Sequence, residues 1–181
     1  MPQRYVNLPG PCLSHQMYAE GLRGQAAKIW DDSIRSVGFI EANSSHGYPQ
    51  EYMTKLESMK FLANLNLAQY YIEERKWGQA ERHARAALKI DEDSLKGLYR
   101  LVVALMEQER FAECKKILGI ASNKHPLEHC IPILRDRVTL KQRDKSQREK
   151  KLWFNRLSRS TASSDEAVNW PFSCCRRRRR T

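Results

Sequence analysis

The sequence of 181 residues has no long hydrophobic run, and this absence limits where the protein can reside. A helix that crosses a membrane needs about 20 consecutive apolar residues, and no segment approaches that length. The N-terminus also lacks the apolar core and the small-residue cleavage site of a secretory signal. We therefore expect no transmembrane segment and a location in the cytoplasm, with the nucleus as the alternative.

Cysteines are few, and their spacing argues against disulfide and metal sites. The five are odd in number, and none forms a C-x-x-C pair. His125, His129 and Cys130 lie close together, but His125 precedes a proline and is disfavoured in a helix. Phosphate-binding motifs of the G-x-x-x-x-G-K and G-x-G-x-x-G types are absent. We predict no metal, no cofactor and no catalytic residue.

Net positive charge is small except near the C-terminus. The formal net charge is +11, yet residues 1–134 carry 17 basic and 16 acidic side chains, whereas 135–181 carry 15 basic and 5 acidic ones. The excess therefore belongs to the last quarter of the chain, and the remainder is nearly neutral.

The sequence does contain an internal repeat. Segments 61–94 and 95–128 match at an offset of 34 residues, so that Trp77 corresponds to Phe111 and Ala80 to Cys114. Segment 17–42 reads as a degraded third copy when Ala27 is placed at the position of Ala80. Apolar residues recur every three to four positions in both halves of a copy, which predicts two antiparallel helices per repeat.

Beyond Pro126 an apolar face continues into a basic segment, which predicts a long helix that covers the open end of the stack. The predicted fold class is all-α, an α-solenoid of helix-turn-helix repeats with a long C-terminal capping helix. The predicted organisation is an irregular N-terminus at 1–16, repeats within 17–128 (17–42, 61–94 and 95–128), a basic helix at 129–158 and a disordered basic tail at 159–181.

A 34-residue period with small residues at its eighth, twentieth and twenty-seventh positions is typical of tetratricopeptide repeats. The segments LNLA, KGLYR and REKKLW, with the insertion before the second repeat, resemble the C-terminal half of the FKBP-type immunophilin co-chaperones over residues 17 to 158. The resemblance implies a groove that binds the acidic C-terminal peptide of a heat-shock chaperone of the heat-shock protein 90 class.

The resemblance also implies the residues that would bind this peptide. Asn66 occupies the family's amide position in the second repeat, and Lys96 and Arg100 occupy its two basic positions in the third. Lys96 and Arg100 are four residues apart and share one helix face. A carboxylate removed from water needs such cations and amide donors.

The first repeat departs from the family pattern. Counting back from Ala27 places Cys12 where the family has lysine, and Gln16 where it has Asn or Thr. We therefore predict an incomplete carboxylate clamp, with Gln16 as a fourth contact. The family's isomerase domain would need about a hundred β-rich residues before the repeats, and sixteen precede Met17, so we predict a non-enzymatic adaptor.

The basic segment suggests an alternative function. Lys150, Lys151, Trp153 and Arg156 combine cations with an aromatic side chain on one predicted helix, which is a composition that calmodulin accepts. The related immunophilins are known for such a site. The ending CCRRRRRT could hold acidic membrane lipids or, less favoured, nucleic acid.

Overall fold

The computed structural model describes residues 11–43 and 48–162, and all regular secondary structure in this part of the chain is α-helical. The predicted all-α fold class is confirmed. The helices are α1 (Pro11–Ala19), α2 (Arg23–Ala42), α3 (Gln50–Glu73), α4 (Trp77–Leu88), α5 (Leu95–Glu107), α6 (Phe111–Lys124) and α7 (Cys130–Ala162).

Helices α1 to α6 form three successive hairpins. Each helix packs against the next one along the chain, and α3 also contacts α5. Gln108, just after α5, donates from Nε2 to the carbonyl oxygen of Trp77 at 3.3 Å, and Trp77 follows shortly after the end of α3. Because their C-terminal ends are neighbours, α3 and α5 run in the same direction. They present equivalent surfaces, one from each repeat.

The backbone repeats as the sequence does. Arg75 and Glu109 are 34 residues apart, end the first helices of their hairpins, and have φ angles of 56° and 60°. The next amide in each case bonds back across the helix end, from Lys76 to the Tyr71 carbonyl at 2.8 Å and from Arg110 to the Leu105 carbonyl at 3.0 Å. This is the left-handed helix ending that glycine favours, here adopted by two charged residues.

The first hairpin has the same ending, and it corrects the sequence alignment of this repeat. Gly21 has a φ of 86°, and the Leu22 amide bonds to the carbonyl of Met17 at 2.9 Å. Gly21 thus corresponds to Arg75, which puts Ala26 and not Ala27 at the position of Ala80. Both Ala26 and Ala80 are fully buried. The predicted register of the first repeat is wrong by one residue.

Several boundaries also differ from the predicted ones. Helix α1 begins at Pro11, whereas residues 1–16 were expected to be irregular. Proline is well suited to this first-turn position, because its missing amide has no helical partner there. Helix α3 begins at Gln50, about three turns before the predicted start of the second repeat at residue 61. The C-terminal part of the predicted insertion is therefore helical, and its Leu56 is buried. The helix of α7 extends to Ala162, and the rest of the expected tail lies outside the described residues.

Two clusters of buried apolar side chains hold the repeats together. One joins α2 to α3 through Trp30 and Leu67. The other joins α5 and α6 to the first turns of α7, where Ile131, Leu134 and Val138 are buried. The start of α7 therefore caps the last repeat as predicted, since its apolar face is covered by α5 and α6.

The chain divides into two compact units at residues 141 and 142, so α7 contributes its first turns to the repeat unit and the remainder to a second unit. In the second unit the described side chains, up to residue 157, are almost all exposed. None of the described helices is long and apolar enough to cross a membrane.

Candidate functional site

The candidate site lies on the neighbouring first helices of the second and third repeats. Asn66 of α3 and Arg100 of α5 are 34 residues apart and occupy equivalent places on these two contacting helices. Lys96 lies one turn before Arg100 and is exposed, whereas Asn66 is half-buried. Two of the three predicted residues are thus on adjacent helices at the same level, and the third extends the site toward the start of α5.

Arg100 has an unusual environment. Its side chain is half-buried, and its Nη1 atom is shielded from solvent without a hydrogen-bond partner among the described residues. Burial lowers the pKa of the guanidinium, although nearby Tyr18 and Glu73 oppose this shift. Buried polar groups in proteins almost always have a partner, so this nitrogen is a donor that still needs an acceptor.

Glu73 lies within electrostatic reach of Arg100 but is bound elsewhere. Its carboxylate accepts hydrogen bonds from the Tyr18 hydroxyl and from Gln69 Nε2, the latter at 2.9 Å. Arg23 Nη1 is 3.1 Å from Glu73 Oε2. Burial alone would raise the pKa of Glu73, but the hydrogen bonds from Gln69 and Tyr18 and the charges of Arg23 and Arg100 lower it overall. Glu73 is therefore ionised, and its negative charge is stabilised by these protein donors.

Tyr18 and Arg23 come from the first hairpin, so the first repeat also contributes to the site. Burial and the hydrogen bond to Glu73 raise the pKa of the Tyr18 phenol, which keeps it a donor. The guanidinium of Arg23 lies over the Tyr18 ring, 5.6 Å from its centre. The turn at Gly21 makes this approach possible, because it reverses the chain between the two residues.

Sequence reasoning missed Tyr18, Arg23 and Glu73. A signal for Glu73 was present, since it follows Asn66 by seven residues and two helical turns return a side chain to the same face. No such signal marked Tyr18 or Arg23, because the first repeat was aligned one residue out of register.

The corrected register also affects Gln16. This residue now corresponds to Tyr70, and the position at which the family has Asn or Thr falls on His15. Gln16 is exposed and donates from Nε2 to Glu20 Oε1 of its own helix turn at 3.0 Å. The alignment that suggested a contact between Gln16 and a peptide no longer supports it. The contact stays a prediction.

A second asparagine near the site has a purely structural position. Asn64 is only 3% exposed, and its Oδ1 lies 3.0 Å from His83 Nδ1 of α4. Its Nδ2 donates to the carbonyl of Lys60, which leaves Oδ1 as the acceptor for His83. The segment ANLNLA thus contains one asparagine in the core, Asn64, and a half-buried one, Asn66, at the position predicted for the site.

Other described parts of the chain carry few groups that are suited to catalysis or to metal binding. Cys114 is fully buried, and burial raises the pKa of its thiol to about 11. No group of three or more His, Cys, Asp or Glu residues suited to a metal occurs in the described part of the chain. In the second unit, Lys150, Lys151, Trp153 and Arg156 are all exposed on α7.

Comparison with known proteins adds to this geometry. The family model described as a tetratricopeptide repeat matches residues 71–129, which include the second hairpin's turn and the whole of the third hairpin. Residues 71–129 of this chain are therefore similar to tetratricopeptide repeats. The three helical hairpins, the repeated left-handed endings and the 34-residue period are features of the same architecture.

A solved tetratricopeptide structure has a similar fold. It is the C-terminal TPR-containing domain of a Plasmodium falciparum protein designated an FK506-binding protein, with 23% sequence identity and a TM-score of 0.62. The match covers 74% of this chain and 86% of that one. At this identity the likeness concerns the fold, and it agrees with the resemblance to the repeat region of FKBP-type proteins.

Proposed function

We propose that the protein is a non-enzymatic tetratricopeptide adaptor that binds the acidic C-terminal peptide of a partner between α3 and α5. The observation that carries this proposal is the buried Nη1 of Arg100, which has no acceptor among the described residues. A peptide carboxylate would supply the missing acceptor through a charge-assisted hydrogen bond.

The surroundings of Arg100 suit a ligand with more than one negative group. Lys96 is exposed one turn away, and Asn66 offers an amide donor from the neighbouring helix. Arg23 partly offsets the charge of Glu73, and Lys96 and Arg100 then leave the site with an excess of positive charge. A chain terminus with an adjacent Asp side chain matches this arrangement, since both its carboxylates can be paired with cations.

The heat-shock protein 90 class is the partner that the resemblance suggests, which would make the protein a cytoplasmic co-chaperone. The first repeat supplies no lysine to the clamp in either register, because Cys12 and its neighbours Pro11 and Leu13 carry no charge. Hydrogen bonds to charged partners contribute about 1.5–3 kcal/mol, so this loss would weaken binding on the order of tenfold to a hundredfold. We therefore expect affinity for such a tail to be modest.

Calorimetry with the peptide Met-Glu-Glu-Val-Asp tests the proposal. We expect measurable binding by the full chain and a loss of about tenfold or more for Lys96→Ala and for Arg100→Ala. Lys116→Ala is the matched control, because Lys116 is an exposed cation on α6, away from the site. Absence of binding at high micromolar protein, or equal affinities for all variants, would contradict the proposal.

A second candidate function rests on α7. Leu152, Trp153 and Phe154 are about two-thirds exposed, at 69%, 66% and 66%, among the cations Lys150 and Lys151. Exposed aromatic side chains on a basic helix suit the apolar grooves of calmodulin. Calcium-dependent retention on immobilised calmodulin should be lost in the Trp153→Ala, Phe154→Ala double variant. Leu127→Ala, which alters an exposed leucine outside α7, should be retained.

A further inference from the structure

The candidate site contains a carboxylate of its own, that of Glu73, close to the cation that would bind a ligand. Arg100 and Glu73 influence each other electrostatically, yet the buried Nη1 of Arg100 has no partner among the described residues. An arginine and a carboxylate that meet can form a charge-assisted hydrogen bond. The other contacts of Glu73 therefore bear on whether its carboxylate is available to Arg100.

That contact comes from the first hairpin and from α3 itself. One oxygen of Glu73 accepts from Gln69 Nε2. The other oxygen, Oε2, accepts from the Tyr18 hydroxyl and also pairs with Arg23. These three donors use most of the lone pairs of the carboxylate and orient it toward α1 and α2.

We propose that Glu73 is an internal competitor for Arg100, held away by Tyr18 and Arg23 so that Arg100 stays open to a ligand carboxylate. Glu73 thereby sets the affinity of the groove for an acidic chain terminus. This inference rests on the proposed function, in which Arg100 binds that carboxylate.

The competition follows from charge and from hydrogen-bonding capacity. Without the Tyr18 hydroxyl, Glu73 Oε2 would lose its neutral donor and could turn toward Arg100, whose Nη1 has no partner among the described residues. A ligand would then have to displace an ion pair before it could bind. Even in its present position, the negative charge of Glu73 repels an incoming carboxylate, because the site is partly buried and poorly screened by water.

Tyr18→Phe isolates this effect, because the variant removes one oxygen and keeps the ring. That ring packs against Trp30, with centroids 5.5 Å apart, inside the apolar cluster of α2 and α3. Phenylalanine can make the same contact. Tyr52→Phe is the matched control, since Tyr52 is an exposed tyrosine at the start of α3, four turns or more from Glu73.

The test measures the affinity of Met-Glu-Glu-Val-Asp for the wild type, Tyr18→Phe, Glu73→Gln and the double variant. We expect Tyr18→Phe to bind about threefold to tenfold more weakly and Glu73→Gln to bind more tightly. In the double variant, affinity should equal that of Glu73→Gln alone. An equal loss from Tyr18→Phe in both backgrounds would show that Tyr18 contacts the peptide directly and would overturn the inference.

A measurement without ligand separates this inference from the proposed function. Nuclear magnetic resonance of the Arg100 guanidinium in the free protein should show slowed rotation about its Cζ–Nε bond in Tyr18→Phe, which indicates pairing with Glu73. This change should be absent in the double variant. If it occurs but no variant binds the peptide, the proposed function fails and the competition stands; if the peptide binds but the guanidinium is unchanged, the competition fails alone.

Discussion

The buried pair of Asn64 and His83 allows a stability prediction with a defined size. The two side chains are 3% and 8% exposed, and His83 Nδ1 donates to Asn64 Oδ1 at 3.0 Å. Asn64→Leu would remove the acceptor and leave a buried N–H without a partner. An unsatisfied buried donor costs about 1–3 kcal/mol, a large share of the roughly 5–15 kcal/mol that stabilises a typical domain.

A double-mutant cycle tests this reasoning by urea unfolding at pH 7.5. His83→Phe removes the donor and keeps an aromatic ring next to Tyr71, which stacks on His83 at 5.4 Å. When both partners become apolar, no polar group is left unsatisfied. We therefore expect Asn64→Leu to lower the free energy of unfolding by about 1–3 kcal/mol in the wild type and by much less in His83→Phe. Equal losses in both backgrounds would refute the hydrogen bond as the cause.

The same histidine makes stability depend on pH. Burial, aided by Arg82 and opposed by Asp31, lowers the pKa of His83 below its ordinary value. As the pH falls through about 6.5, the unfolded chain binds a proton that the folded protein does not yet bind. The free energy of unfolding should therefore decrease with acidification from pH 6.5 down to the lowered pKa, and His83→Phe should abolish this part of the pH dependence.

Three further predictions concern other places in the repeats. Arg75→Gly should raise the free energy of unfolding by about 1 kcal/mol in thermal or urea unfolding, because Arg75 has a φ of 56° and glycine adopts that conformation at little cost; no gain would contradict the assigned helix ending. Leu105→Ala should lower it by about 2–5 kcal/mol, since Leu105 is fully buried, and a loss below 1 kcal/mol would contradict its place in the core. Cys114, with a thiol pKa of about 11, should react with iodoacetamide at pH 8 far more slowly than half-exposed Cys130 when labelling is mapped by mass spectrometry, and equal labelling would contradict the burial.

Much of the fold could be predicted from the sequence, because a repeat states the same information more than once. The match of Trp77 with Phe111 and of Ala80 with Cys114 predicts the second and third hairpins from the sequence alone. The first hairpin was aligned on Ala27, with Trp30 and Ile34 continuing its apolar stripe, but the adjacent Ala26 is an equally small residue. The helix ending at Gly21 defines the register, because its hydrogen bond from the Leu22 amide to the Met17 carbonyl matches the endings of the other two hairpins residue by residue.

The candidate site was less predictable, for a physical reason. Lys96 and Arg100 could be identified because cations four residues apart on a helix are visible in a sequence. The bonds from Tyr18 and Arg23 to Glu73 join residues about fifty positions apart, and they depend on how the first hairpin meets α3. Such contacts arise from packing, which no local pattern records.

The most direct test of the account asks whether Arg100 binds the terminal carboxylate of a peptide. Calorimetry would compare Met-Glu-Glu-Val-Asp as the free acid and as the C-terminal amide, each with the wild type and with Arg100→Gln. We predict that amidation weakens binding to the wild type by about tenfold or more and has little effect on Arg100→Gln, because the lost carboxylate and the lost guanidinium are partners. Equal losses on amidation in both proteins would contradict the account.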